Sequence, residues 1–107
     1  MIEAEQVEAL LLEALGNLNR ELGQDRKIDV RRDTILFGRE AELDSLTLVS
    51  FVVAVEAMLQ ERLGVPISLI DERAMRRAVS PFRNVQTLKD YIMSIASETT
   101  EQAGLAG

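Results

Sequence analysis

From Ser45 to Leu63 the chain runs without a glycine or a proline, and apolar side chains are spread around most of the circumference that a helix over this stretch would have. Leu46, Leu48, Val49, Phe51, Val52, Val53, Val55, Met58, Leu59 and Leu63 leave no broad polar face. The β-branched run Val52, Val53, Val55 favours an extended chain locally. The length of the segment, with Glu56, Gln60, Glu61 and Arg62 towards its far end, predicts a helix over 45–63 instead. Gly64 supplies a stop and Pro66 keeps the helix from resuming. A helix apolar nearly all round is either buried or docks something. In 107 residues only about four helices fit, too few to cover every side of this one, so one side is expected to serve for docking.

The rest of the chain supplies what this helix packs against. Residues 3–20 predict an amphipathic helix, with Val7, Leu10, Leu11, Ala14, Leu15, Leu18 and Leu22 at helical spacing. Glu3, Glu5 and Glu8 suit the positive end of its dipole, Arg20 the negative end, and Gly23 is a candidate stop. Leu12 lies off the stripe and is expected at the surface.

Residues 23–44 lack periodicity and read as a long loop, which in a small domain either packs down or carries function. Ile28, Val30, Ile35, Leu36, Phe37 and Leu43 are its expected anchors into the core, and Thr34–Phe37 is a candidate helical turn. Ser68, with Asp71 three residues on, marks the start of a short third helix over 69–79, broken by Ser80-Pro81. Asn84 caps a fourth, with Val85, Leu88, Tyr91, Ile92 and Ile95 inward. Phe51, Val55, Leu59 and Ile70 complete the expected core. One domain over 1–98 is expected, followed by a small, polar tail over 99–107 that is expected to be frayed or disordered.

Composition narrows the chemistry. The chain has neither cysteine nor histidine, so thiolate chemistry, the usual general base and the usual metal ligand are all missing. Acids and bases are plentiful, but no pair is placed by a motif as catalytic acid and base, and no metal site is expected. A net charge of −6 and four unclustered aromatics argue against nucleic-acid binding. No apolar run approaches a membrane span and the first residues are acidic, so the expectation is a cytoplasmic, monomeric protein with no membrane insertion.

Attention then falls on Leu43-Asp44-Ser45-Leu46, where the polar loop gives way to the apolar helix. A serine at a helix N-terminus sits where backbone N–H groups and the dipole favour an attached phosphate. Asp44 beside it can cap the helix or recruit a modifying enzyme, and Leu46 and Val49 offer apolar grip. Standing alone, Asp-Ser at this place reads far more simply as a plain helix cap.

The wider pattern resembles the acyl carrier protein family, the phosphopantetheine-bearing carriers of fatty acid, polyketide and nonribosomal peptide synthesis. The resemblance rests on Leu36-Phe37-Gly38, then Leu43-Asp44-Ser45-Leu46, the apolar helix, Gly64-Val65-Pro66-Ile67, Asn84-Val85-Gln86-Thr87-Leu88 and Asp90-Tyr91-Ile92, in order over roughly residues 5–97. It implies an all-α four-helix bundle of acyl-carrier type, with a long loop after helix 1 and a short helix 3. It implies that Ser45 receives 4′-phosphopantetheine from coenzyme A through a phosphopantetheinyl transferase that recognises Asp44. Such a carrier is not itself an enzyme. It presents acyl or aminoacyl groups, held as thioesters, to loading ligases and synthases of a lipid or secondary-metabolite pathway, and the length of this chain fits a discrete carrier acting in trans.

This chain departs from the family pattern in three places. No acid follows Ser45 until Glu56, the helix is about one turn longer than usual, and residues 71–90 hold five bases against three acids. Partner docking is therefore expected to lean on apolar contact at Leu46, Val49 and Val53. The alternatives are a small helical interaction module without a prosthetic group, using the same residues, and a small enzyme.

Overall fold

The structure is a computed structural model, and it describes residues 3–22, 28–38, 41, 43–69 and 80–106, with side chains described as far as Ala96. Three helices form among them: α1 (Ala4–Glu21), α2 (Ser45–Leu63) and α3 (Val85–Ala106). No strand forms among the described residues; the one extended pairing is an isolated antiparallel bridge between Ile35 and Asn84. Of the third helix expected over 69–79 only Leu69 is described, in a bend; the rest of it, its anchor Ile70 and the stop at Gly23 lie outside the described residues.

α1 forms where its apolar residues recur at helical spacing, and it buries Val7, Leu10, Leu11, Ala14 and Leu15. At its start the Glu3 amide donates to the Gln6 side-chain oxygen at 2.9 Å. Its stripe lies against both α2 and α3, and one apolar core joins the three helices. Leu12 departs from expectation: it is half-buried and packs against this core, so the apolar face of α1 is wider than a strict stripe.

α2 has the bounds that its sequence predicts. Its C-terminus turns on Gly64, whose φ of 66° lies in the left-handed region open to glycine. The Gly64 and Val65 amides fold back to the carbonyls of Gln60 and Leu59, both at 3.2 Å. Phe51, Val52, Val55 and Leu59 are buried, whereas Leu46, Val49 and Val53 are exposed. The all-round apolar surface is thus divided, one side to the core and one side outward. Among the described residues no helix is long and apolar enough to cross a membrane.

α3 begins with a reciprocal cap: the Thr87 amide donates to the Asn84 side-chain oxygen at 2.8 Å, and the Asn84 amide donates to Thr87 Oγ1 at 3.1 Å. Val85, Leu88, Tyr91, Ile92 and Ile95 are buried as their spacing predicts. The backbone stays helical to Ala106, past Thr99 where the sequence reading expects fraying. No proline interrupts this end, and its Glu, Gln, Ala and Leu residues favour helix.

The long loop packs down onto the start of α3. The Leu36 amide donates to the Arg83 carbonyl at 2.7 Å, and the Gln86 amide, in the first turn of α3, donates to the Arg32 carbonyl at 3.0 Å. Ile28, Leu36 and Leu43 enter the core, but Val30 and Phe37 are exposed, which corrects two of the expected anchors. The cause lies in the backbone. Extended chain at the Ile35 bridge sends alternate side chains to opposite sides, so Leu36 inward leaves Phe37 outward. The bridge stands where the sequence leaves Thr34–Phe37 open to a helical turn.

The inward place near Val30 goes to Thr34, the one buried polar residue among those described. Its hydroxyl donates to the Asp29 carbonyl at 2.5 Å and accepts from the Arg31 amide at 3.0 Å, so burial leaves it satisfied. Among the described residues two ion pairs tie α1 to its neighbours: Arg32 to Glu8 at 3.0 Å, and Arg62 to Glu13. The hydrogen bond that Arg62 donates to Glu13, followed by the charge of Glu13, holds the Arg62 guanidinium above its ordinary pKa.

Candidate attachment site and docking face

Leu43 is buried, and from that anchor the chain turns outward into α2. Asp44 takes the N-cap position with extended backbone, φ −77° and ψ 172°. Its carboxylate accepts the Thr47 amide at 2.7 Å and its carbonyl accepts the Leu48 amide at 2.9 Å. Ser45 is therefore the first residue of the helix, and it is exposed. Among the described residues no backbone acceptor takes the Ser45 or Leu46 amide, as is usual in the first turn of a helix.

The expected docking residues lie together. Leu46, Val49 and Val53 fall at i, i+3 and i+7, one face of a helix, with exposures of 79%, 46% and 55%. Ser45 precedes Val49 by four residues, which puts the hydroxyl at the head of this stripe. No ionisable side chain occurs from Ser45 to Val55, so the face is apolar and neutral over its first three turns.

Further along α2 the stripe meets a shallow groove of about 410 Å³. Val53, Ala57 and Gln60 form one wall, and Pro66, Ile67 and Ser68 form the other. Glu56 lines the groove, and its Oε2 accepts the amide of the fully buried Leu69 at 2.7 Å. The sequence reading places Asp44, Ser45, Leu46, Val49 and Val53 on this surface but misses the groove and the part that Glu56 plays in it. The available signal was Leu69 itself. A buried amide needs an acceptor, and Glu56 is the first acid on the helix that precedes it.

No known family's model matches the chain, and no curated protein or solved structure matches it either.

Proposed function

We propose that the chain is a carrier protein of acyl-carrier type, not itself an enzyme. In this reading Ser45 is the attachment point of a 4′-phosphopantetheine arm donated by coenzyme A. The observation that carries it is the exposed serine at the first turn of α2, directly after a capping aspartate and at the head of an exposed apolar stripe. The residues present fit such a group. The hydroxyl is exposed, and it stands in the first turn of α2, where helix amides and the dipole would favour an attached phosphate.

Attachment would join Ser45 Oγ to phosphorus, break the pyrophosphate link of coenzyme A and release adenosine 3′,5′-bisphosphate, while the transferase would remove the hydroxyl proton. The bound arm supplies a thiol on which an acyl or aminoacyl group rides as a thioester. The chain's own part is to hold the attachment point rigid and to offer a docking face, so that a tethered group meets its enzymes at high effective concentration. Asp44 fixes the helix start and presents its acid to the phosphopantetheinyl transferase. Leu46, Val49 and Val53 contact that transferase and the loading ligases and synthases. The full architecture of this reading is a four-helix bundle with a short third helix between α2 and α3, monomeric and cytoplasmic.

The exposed stripe also favours a second reading, a helical interaction module with no prosthetic group. Intact mass spectrometry separates the two after incubation with coenzyme A and a broad-specificity phosphopantetheinyl transferase. The carrier reading expects a mass gain of one phosphopantetheine in the natural chain and none in Ser45→Ala. No gain, or a gain that survives Ser45→Ala, overturns it.

A further inference from the structure

Glu56 is the first acid on α2, and on a docking helix an acid reads as a charge offered to a partner. Its geometry assigns it other work. Glu56 is half-buried, and its Oε2 takes the Leu69 amide across thirteen residues of sequence. Leu69 has no exposed surface, so this amide has no water to turn to if the carboxylate leaves. The segment that the bond closes, Val65 to Leu69, carries Pro66, Ile67 and Ser68, the wall of the groove that faces Val53 and Ala57. The position of that wall depends on where Leu69 is held.

We infer that Glu56 is a positioning residue: by holding the Leu69 amide it sets the width of the groove, which receives an apolar side chain of an enzyme docked on the exposed stripe of α2. The occupant follows from the surroundings. Val53 belongs both to the stripe and to the groove, so a partner lying along Leu46, Val49 and Val53 arrives at the groove without a break. Val53, Ala57, Pro66 and Ile67 give the groove its apolar part, beside the polar Glu56, Gln60 and Ser68. The Glu56 carboxylate is engaged by the Leu69 amide, and the surface leading to the groove from Ser45 carries no charge to match a charged partner. One large apolar side chain seated in a pocket is how a small contact gains most of its affinity.

The identity of the occupant rests on the carrier reading; the bond itself does not. The experiment compares the natural chain with Glu56→Gln, whose amide oxygen can still accept the Leu69 amide, and with Glu56→Ala, which cannot. Hydrogen exchange at the Leu69 amide, followed by NMR on the unmodified protein, is expected to stay within about twofold in Glu56→Gln and to quicken at least tenfold in Glu56→Ala. Transferase kinetics on the same three proteins are expected to give a several-fold higher KM for Glu56→Ala at unchanged kcat, with Glu56→Gln restored to the natural value. Unchanged exchange in Glu56→Ala overturns the inference. So does a Glu56→Gln protein with a KM as poor as that of Glu56→Ala, because the charge would then be the docking element and a basic side chain the occupant. Should Ser45 take no phosphopantetheine in any of the three, the carrier reading and the docked enzyme fall together, while the exchange data still decide whether Glu56 holds the segment.

Discussion

The carboxylate of Asp44 receives the amide of Thr47 at 2.7 Å, and the residue that starts the helix between them, Ser45, faces solvent. One hydrogen bond thus fixes both the start of α2 and the presentation of its hydroxyl. Asp44→Ala removes the cap and is expected to cost about 1 kcal/mol, seen as a fall in Tm of about 4–8 °C. Asp44→Asn keeps an acceptor at the same place and is expected to melt like the natural protein. If the transferase reads the acid as well as the helix, Asp44→Asn is modified more slowly at unchanged stability. Thermal melts beside modification rates check both statements.

Val49 lies four residues beyond Ser45 on the exposed stripe, and no acid accompanies it until Glu56. Val49→Asp is therefore expected to leave the melting temperature within a few degrees and to weaken transferase docking at least tenfold. Raising the salt from about 0.05 to 0.5 M is expected to act on the KM of the natural protein only through the single acid Asp44, a change of less than about threefold, since Leu46, Val49 and Val53 carry no charge for salt to screen. A steep loss with salt, with Val49→Asp behaving normally, would place docking elsewhere.

Phe51 and Phe37 look alike in the sequence and differ in the fold, with exposures of 1% and 52%. Phe51→Ala is expected to cost about 3–5 kcal/mol, from lost transfer energy and the cavity left behind. Phe37→Ala is expected to stay within about 0.5 kcal/mol, as for a surface change. Urea unfolding followed by circular dichroism measures both.

Thr34 is buried with its hydroxyl bonded on both sides, to the Asp29 carbonyl and the Arg31 amide. Thr34→Val keeps the shape but leaves those two backbone groups without this partner, and is expected to cost about 1–3 kcal/mol. Thr34→Ser keeps the hydroxyl and is expected to cost less than Thr34→Val. Denaturant unfolding of the pair tests whether the hydrogen bonds or the methyl group hold the loop down.

The helices were legible because their signals are local. Helical spacing fixes the inner faces of α1 and α3, Asn84 marks the start of α3, and Gly64 marks the end of α2 to the residue. Asp44 and Ser45 could be placed for the same reason, as a cap and the helix residue that follows it. The loop was harder, because its anchors depend on a partner about fifty residues away. Nothing near Phe37 or Val30 says that Ile35 will pair with Asn84, or that a threonine will take an inward place. The bond from Glu56 to Leu69 escaped for a related reason: a glutamate on a helix looks like a surface charge until the chain folds back over it.

The clasp between the Arg32–Leu36 stretch and the Arg83–Gln86 stretch has a mechanical consequence. It joins the stretch of chain before α2 to the stretch after it, so α2 belongs to a loop whose base is closed by backbone hydrogen bonds. A partner that holds the outer side of α2 therefore grips a segment whose two approaches are drawn together, not a free end of the chain.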